Sequence, residues 1–333
     1  MTEKRLDSVR LQNIAQAYGQ SAALMSAVEL GLFTKISQGA ETVDQIAAAL
    51  DIHPTNAERL VTMCAAMDLL TVEGSRYHNA PDVERFLVEG SPRYAGAWML
   101  FTKPSWGEWG RLTEHLRNKN LSVMGDIGDY TVEEARRYHT ATFSIGLGAG
   151  RRFVRQVDLS KRSKILDLGG GSGAYCIAAA TAHPHIRAAV FDLPPVATVA
   201  SEFIAEHGVA DRVTAQAGDF TADPFPTDAD VVIMASNLPM YGRDMIQTVI
   251  RKAFDALLPG GEMHLIGETL NDDRDGPIGP AYWGLGQATQ DTLGLAHSEA
   301  DCVGYFTDAG FEDVQVHAFV EGSLSRICGL KPV

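Results

Sequence analysis

The sequence contains no run of 18 or more apolar residues, so no membrane-spanning helix is expected. Its first twenty residues, MTEKRLDSVRLQNIAQAYGQ, are polar and amphipathic and lack the apolar core and cleavage site of a signal peptide. Basic residues are scarce: 28 Lys and Arg stand against 42 Asp and Glu, a net charge of −14. That deficit argues against a nucleic-acid partner, which needs a positive surface to neutralise phosphates. The four cysteines, Cys64, Cys176, Cys302 and Cys328, have no CxxC spacing and read as reduced, buried thiols of a cytoplasmic protein rather than metal ligands. A P-loop, GxxxxGK[ST], is missing, and so is any internal repeat.

What is present suits two domains. The chain has 333 residues, of which 45% are apolar, enough for a sizeable core. Residues 1–150 read as almost all helix, with apolar residues at helical spacing from Ile14 to Leu32. Thr42 is placed to cap a helix ending near Leu50, and Thr55 or Asn56 a second one ending near Leu69. Leu70–Val72 and Arg76–His78, joined through Glu73-Gly74, predict a β-hairpin. Two helices and a hairpin suggest a winged helix, but the second helix carries only Arg59 as a basic residue, so a scaffold or dimerisation role is favoured over DNA reading.

Residues 151–333 change texture. SKILDLGGGSGAYCIAAA, RAAVFDLPPV, RVTAQAGDF, ADVVIMASNLP and GGEMHLIGETL read as five strands alternating with helices, and the last twenty-odd residues supply a final hairpin. Alternation of this kind predicts a parallel, doubly wound α/β sheet. Asp167-Leu168-Gly169-Gly170-Gly171-Ser172-Gly173 lies between a strand and a helix, where glycines let a ligand approach the backbone. Asp192 ends the next strand, about twenty residues on, where a carboxylate suits the hydroxyls of a ribose. Asp219 and Phe220 end the third strand and suit an adenine.

The motifs LDLGGGSG, FDLPPV, AGDF, LLPGGEMHLIGE and FTDAGFEDVQV, with the N-terminal LGLF and TVDQIAAALDI, resemble the S-adenosylmethionine-dependent O-methyltransferases that carry a winged-helix dimerisation domain. The resemblance spans nearly the whole chain. It implies a Rossmann-like class I methyltransferase domain (151–333) behind a mostly helical dimerisation and substrate-lid domain (1–150), a homodimer, and a small-molecule acceptor. It also implies S-adenosylmethionine as cofactor and no metal. Cofactor residues would be Asp167, Gly169, Gly171, Gly173, Asp192, Leu193, Gly218, Asp219, Phe220 and Ser236. Acceptor residues would be Trp98, Phe101, Trp106, Tyr138, Phe143, Asn237, Met240 and Trp283.

One departure matters. Relatives that methylate a phenol carry a histidine soon after the fourth strand, and here Pro239 or Met240 takes its seat, within SNLPMYG. General-base help is worth roughly 10²–10⁴-fold to a hydroxyl, but a thioether has no proton to lose. The pattern therefore also resembles the DsyB-type enzymes that S-methylate 4-methylthio-2-hydroxybutyrate on the way to dimethylsulfoniopropionate. Base-independent in-line S-methylation is the expectation. The alternatives are an O-methyltransferase of a hydroxylated secondary metabolite, with Tyr138, His139 or Tyr241 serving the chemistry, and a cofactor-binding relative that does not methylate.

Overall fold

The computed structural model describes residues 6–123 and 130–333, and the chain divides into two compact units at Pro104/Ser105. This differs from the boundary near 150 expected from the sequence. Helical periodicity marks a helix without saying whose core it joins. The long helix before residue 156 packs on the helices of the second unit.

The first unit holds α1 (Val9–Gln16), α2 (Tyr18–Glu29), α3 (Leu32–Ser37), α4 (Val43–Leu50), α5 (Pro54–Ala66), the hairpin β1 (Leu70–Glu73) and β2 (Arg76–Asn79), α6 (Pro81–Phe86) and α7 (Gly96–Met99). Thr42 closes a capping box with Gln45 at the start of α4, as its sequence predicts. The cap of α5 is neither Thr55 nor Asn56. His53 Nδ1 accepts the Thr55 N–H at 3.2 Å, and Pro54 opens the helix. The core gathers Phe33, Ile46, Val61 and Leu70. Helix α1 contributes nothing to it: Val9, Leu11 and Ile14 are all exposed.

The second unit opens with α8 (Trp106–Gly110) and α9 (Leu112–Arg117), followed by α10 (Val132–Gln156), whose Thr131 and Glu134 form a capping box. Then come β3 (Lys164–Leu168), α11 (Ala174–Ala182), β4 (Arg187–Asp192), α12 (Pro194–Glu206), β5 (Val213–Ala217), β6 (Ala229–Ala235), α13 (Arg243–Ala256) and β7 (Leu257–Gly267). After them run β8 (Thr269–Leu270), α14 (Ile278–Gly286), β9 (His297–Ser298), α15 (Glu299–Ala309), β10 (Glu312–Val320) and β11 (Leu324–Leu330). The main sheet has the order β10-β11-β7-β6-β3-β4-β5, parallel from β7 to β5, with β11 antiparallel to both neighbours. All five expected strands and the final hairpin are present.

Alternate residues of the strands feed opposite faces. Ile165 and Val190 join Phe153, Ile177 and Ile204 of α10, α11 and α12. Leu166, Leu168 and Phe191 join Ile246, Ile250 and Phe306 of α13 and α15. Helices on both faces leave the carboxyl ends of the parallel strands as the place where loops converge, the usual seat of a ligand in such sheets.

Candidate functional site

At that edge β3 delivers Asp167 and Leu168 into the glycine turn. Gly169 and Gly171 have φ of 61° and 57°, a left-handed conformation that favours glycine. Space forbids a side chain as well. A Cβ on Gly169 would lie 2.4 Å from Asn237 Nδ2 and 2.9 Å from Phe220 Cε1, and one on Gly171 would lie 2.6 Å from His139 Cε1. Two of the expected cofactor glycines also have a packing reason. Gly173 admits Val190 and Ile204 where α11 meets the sheet, and Gly218 makes room for the Phe191 ring. The sequence shows a glycine's place but not which neighbour presses on it.

Asp192 ends β4 and is buried. Its Oδ2 accepts the Gly171 N–H and its Oδ1 the Leu193 N–H, each at 2.8 Å. This one carboxylate therefore braces the glycine turn and the start of α12, and each oxygen keeps a lone pair for a further donor. Burial pushes Asp192 up to about 6 despite those two bonds, with Asp219 adding to the effect. Asp219 is partly spent: its Oδ1 holds the Thr221 N–H at 2.8 Å and hydroxyl at 2.6 Å. Phe220 packs edge-on against Tyr241 with centroids 5.3 Å apart, next to Gly169.

After β6 the chain turns through Ser236, a non-glycine at φ 61° whose N–H donates to Ile266 O. The turn aims Asn237 back under the glycines. Its Nδ2 donates to Leu168 O at 3.3 Å, and its buried Oδ1 has no partner. Asn237, expected at the acceptor, lies against Leu168 and Gly169 of the glycine turn. Pro239 is buried and Met240 is 38% exposed on a short 3₁₀ turn.

The candidates for a displaced base fare poorly. Tyr241 lies in the core, and burial together with Asp192 and Asp219 raises its hydroxyl well above the ordinary range. It does not ionise near neutrality. His139 lies over Gly171, edge-on to Tyr138 at 4.9 Å, and burial lowers it to about 4. It is a neutral ring there, too weak a base and too buried to pair with an acceptor carboxylate. Tyr138 is 44% exposed over the whole residue, and desolvation raises its hydroxyl, with the charges of Asp192 and Glu268 adding to the effect. Glu268 follows β7, and burial raises it also.

The remaining acceptor candidates scatter. Phe143 stacks on Phe203 of α12 at 4.5 Å. Trp98 and Phe101 stack on each other at 5.1 Å in the first unit. Trp106 opens α8 at the surface, and Trp283 lies on α14 beside Tyr282, whose other neighbour is Trp109, stacked at 5.0 Å.

Two histidines escaped the sequence reading because their partners are far away in the chain. His297 is fully buried. Its Nε2 donates to Tyr241 O and its Nδ1 accepts from the Tyr305 hydroxyl, both at 2.9 Å, so it pins the SNLPMYG loop from beneath. His115 sits between Glu108 at 2.9 Å and Asp291 at 3.3 Å, fastening α9 to the turn after α14. Both carboxylates raise its pKa. The charged joint is whole below about pH 6.5, the free-histidine value, and is lost as pH rises through the raised one. Replacing His115 with Gln should flatten the pH dependence of thermal stability between about pH 6 and 8. An unchanged profile would remove His115 from that joint.

Together, a glycine cradle that excludes side chains, a buried carboxylate with spare lone pairs and the orphaned Asn237 Oδ1 fit an adenosyl cofactor. Among the described residues no cluster of His, Cys, Asp and Glu could hold a metal ion. Among the described residues no helix is long and apolar enough to cross a membrane.

Comparison with known proteins agrees with this geometry. The family model described as an O-methyltransferase domain matches residues 128–312, and that of an O-methyltransferase dimerisation domain matches residues 12–89. A 3-hydroxy-5-methyl-1-naphthoate 3-O-methyltransferase of Streptomyces sahachiroi is 31% identical, covering 96% of this chain and 94% of its own. The tetracenomycin polyketide synthesis 8-O-methyl transferase TcmO of Streptomyces glaucescens is 32% identical, covering 96% and 95%. The N,N-dimethyltransferase OxyT of Streptomyces rimosus is 33% identical over 76% of each chain. The crystal structure of human N-acetylserotonin methyltransferase with S-adenosylmethionine covers all of both chains at 23% identity, with a TM-score of 0.82.

Proposed function

The chain belongs to the S-adenosylmethionine-dependent O-methyltransferase family, as a small-molecule methyltransferase behind a dimerisation domain, and we propose that it methylates a hydroxyl of an aromatic, polyketide-like metabolite. The observation that carries this reading is likeness along almost the entire chain to two enzymes named as O-methyltransferases, one of a hydroxynaphthoate and one of polyketide synthesis. The relatives named above act on oxygen and nitrogen, and S-methylation of a thioether finds no support among them.

The cofactor supplies a methyl on a sulfonium, ready for in-line displacement. The chain's own residues hold and orient. Asp192 takes the ribose hydroxyls, Gly169 and Gly171 admit the cofactor against the backbone, and Phe220 and Asn237 wall the adenosyl side. Tyr138, packed edge-on against His139 over Gly171 and partly exposed, is the residue placed to orient what enters. With Pro239 and Met240 in the base's seat, and Tyr241 and His139 unfit, the site suits a phenol acidic enough to ionise with little help. Positioning then supplies most of the rate, up to about 7–11 kcal/mol for well-aligned groups. The exposed apolar side chains of α1 suit a second copy of the chain, so the working unit is a homodimer.

The test is turnover of methyl-labelled S-adenosylmethionine against hydroxynaphthoates, anthraquinone phenols, aromatic amines and 4-methylthio-2-hydroxybutyrate. Label on a phenol oxygen is expected, with kcat/KM tracking the ionised fraction of the acceptor. Label only on sulfur would restore the thioether reading, and label only on nitrogen would place the chain beside the amine-methylating relatives.

A further inference from the structure

Beneath the glycine turn lies a group of acids with no cation to answer them. Asp167, at the end of β3, is fully buried. Its Oδ2 lies 3.6 Å from Cys176 Sγ, and its Oδ1 has no partner. The Gly170 backbone presses on it so closely that a Cβ there would lie 2.6 Å from the carboxyl carbon. The buried hydroxyl of Tyr175, on α11, also lacks a partner. On neighbouring β4, Asp192 lies two positions beyond Val190, the register partner of Asp167, and its charge acts on Asp167, while that of Glu268, after β7, acts on Tyr175 and Tyr138. From α10 come Tyr138 and the neutral ring of His139, and from the β6 loop the amide of Asn237. Among the described residues no lysine or arginine forms an ion pair with Asp167, Asp192 or Glu268.

Buried acids without cations either stay protonated or wait for a cation. The methyl donor brings one: ammonium, carboxylate and sulfonium leave it with a net charge of about +1, whereas the product thioether is neutral overall. We propose that Asp167 gauges the charge of the cofactor, giving up a proton when the donor binds and regaining one once the methyl has left. In the transfer the S–CH₃ bond breaks with its electron pair left on sulfur, the O–CH₃ bond forms, and the acceptor's hydroxyl proton departs. That proton, or one from water, restores the acid, and charge balances. The consequence is selectivity: the donor is held more tightly than its product near neutrality, which favours product release. Asp167 is pushed up to about 7 by burial, with Asp192 adding, so its titration falls in the working range.

The inference rests on the cofactor and not on the acceptor, so binding without any acceptor tests it apart from the reading above. Calorimetric titration of the intact protein with S-adenosylmethionine and with S-adenosylhomocysteine, in buffers of different ionisation enthalpy, counts the protons released. Near pH 6.5 the donor should release close to about one proton and the product clearly fewer. The ratio of product Kd to donor Kd should grow by up to about tenfold between pH 5.5 and 8. Titration of Asp192 acts on the ribose common to both ligands and cancels in that ratio. Asp167→Asn, checked for folding by thermal scan, should flatten the ratio. Equal proton counts for the two ligands, or a ratio constant with pH in the unaltered protein, would overturn the inference even if the variant does not fold. Full proton release by a folded D167N protein would overturn it too.

Discussion

Replacing Asp192 with alanine is expected to weaken S-adenosylmethionine binding by at least about a hundredfold. Hydrogen bonds to a charged acceptor contribute about 1.5–3 kcal/mol each, and a factor of ten costs about 1.4 kcal/mol. Two such bonds to a ribose would be lost. The variant also releases the Gly171 and Leu193 N–H groups, so the glycine turn loses its brace. Asp192→Asn separates the two effects: an amide oxygen can still accept one of those N–H bonds, so the turn should survive better than the affinity. Calorimetry measures the binding and a thermal scan the brace. An unchanged Kd in the alanine variant would remove Asp192 from the ribose.

The second large effect is expected at Gly171. Gly171→Ala puts a Cβ 2.6 Å from the His139 ring and forces a side chain into the left-handed region, which costs about 1–2 kcal/mol before any clash. Cofactor affinity should fall more than about tenfold, with a lower melting temperature. His139→Ala in the same chain clears the ring and should recover part of the loss, leaving the backbone strain. If the double variant is no better than G171A, the two residues do not share that space. His139→Ala alone should leave acid–base behaviour between about pH 6 and 9 unchanged, because a ring lowered to about 4 does not titrate there.

The parts of this protein that the sequence reveals are those encoded locally. Parallel strands buried on both faces are short apolar runs, so KILDL, AAVFD and VVIMA read directly as strands, and Asp167 and Asp192 fall at their ends. The capping boxes of α4 and α10 are written in four residues each. What the sequence hides depends on contacts between distant segments. The seat of Phe143 against Phe203 spans 60 positions, and the pairing of His115 with Asp291 spans 176. The division at Pro104 depends on which core α10 joins, and β8 and β9, two residues each, are too short to leave a pattern. The acceptor is hidden for a different reason. Only the donor's half of the chemistry is built from backbone turns and strand ends, whereas the acceptor's half is a matter of side-chain shape.

The seat expected to hold a histidine is tightly packed. Pro239 is buried, the carbonyl oxygens of Pro239 and Met240 would lie 2.5 Å and 2.7 Å from any Cβ on Gly294, and His297 grips the next carbonyl from below. A histidine returned to position 239 would need room for a ring and a partner for each nitrogen, so Gly294, His297 and the loop would have to change together. Single mutations that put the ring back would first disturb a packed loop. The loop is thus held by packing above and a hydrogen bond below, and a proton acceptor at that seat is excluded by the fit of its neighbours as much as by the identity of the residue.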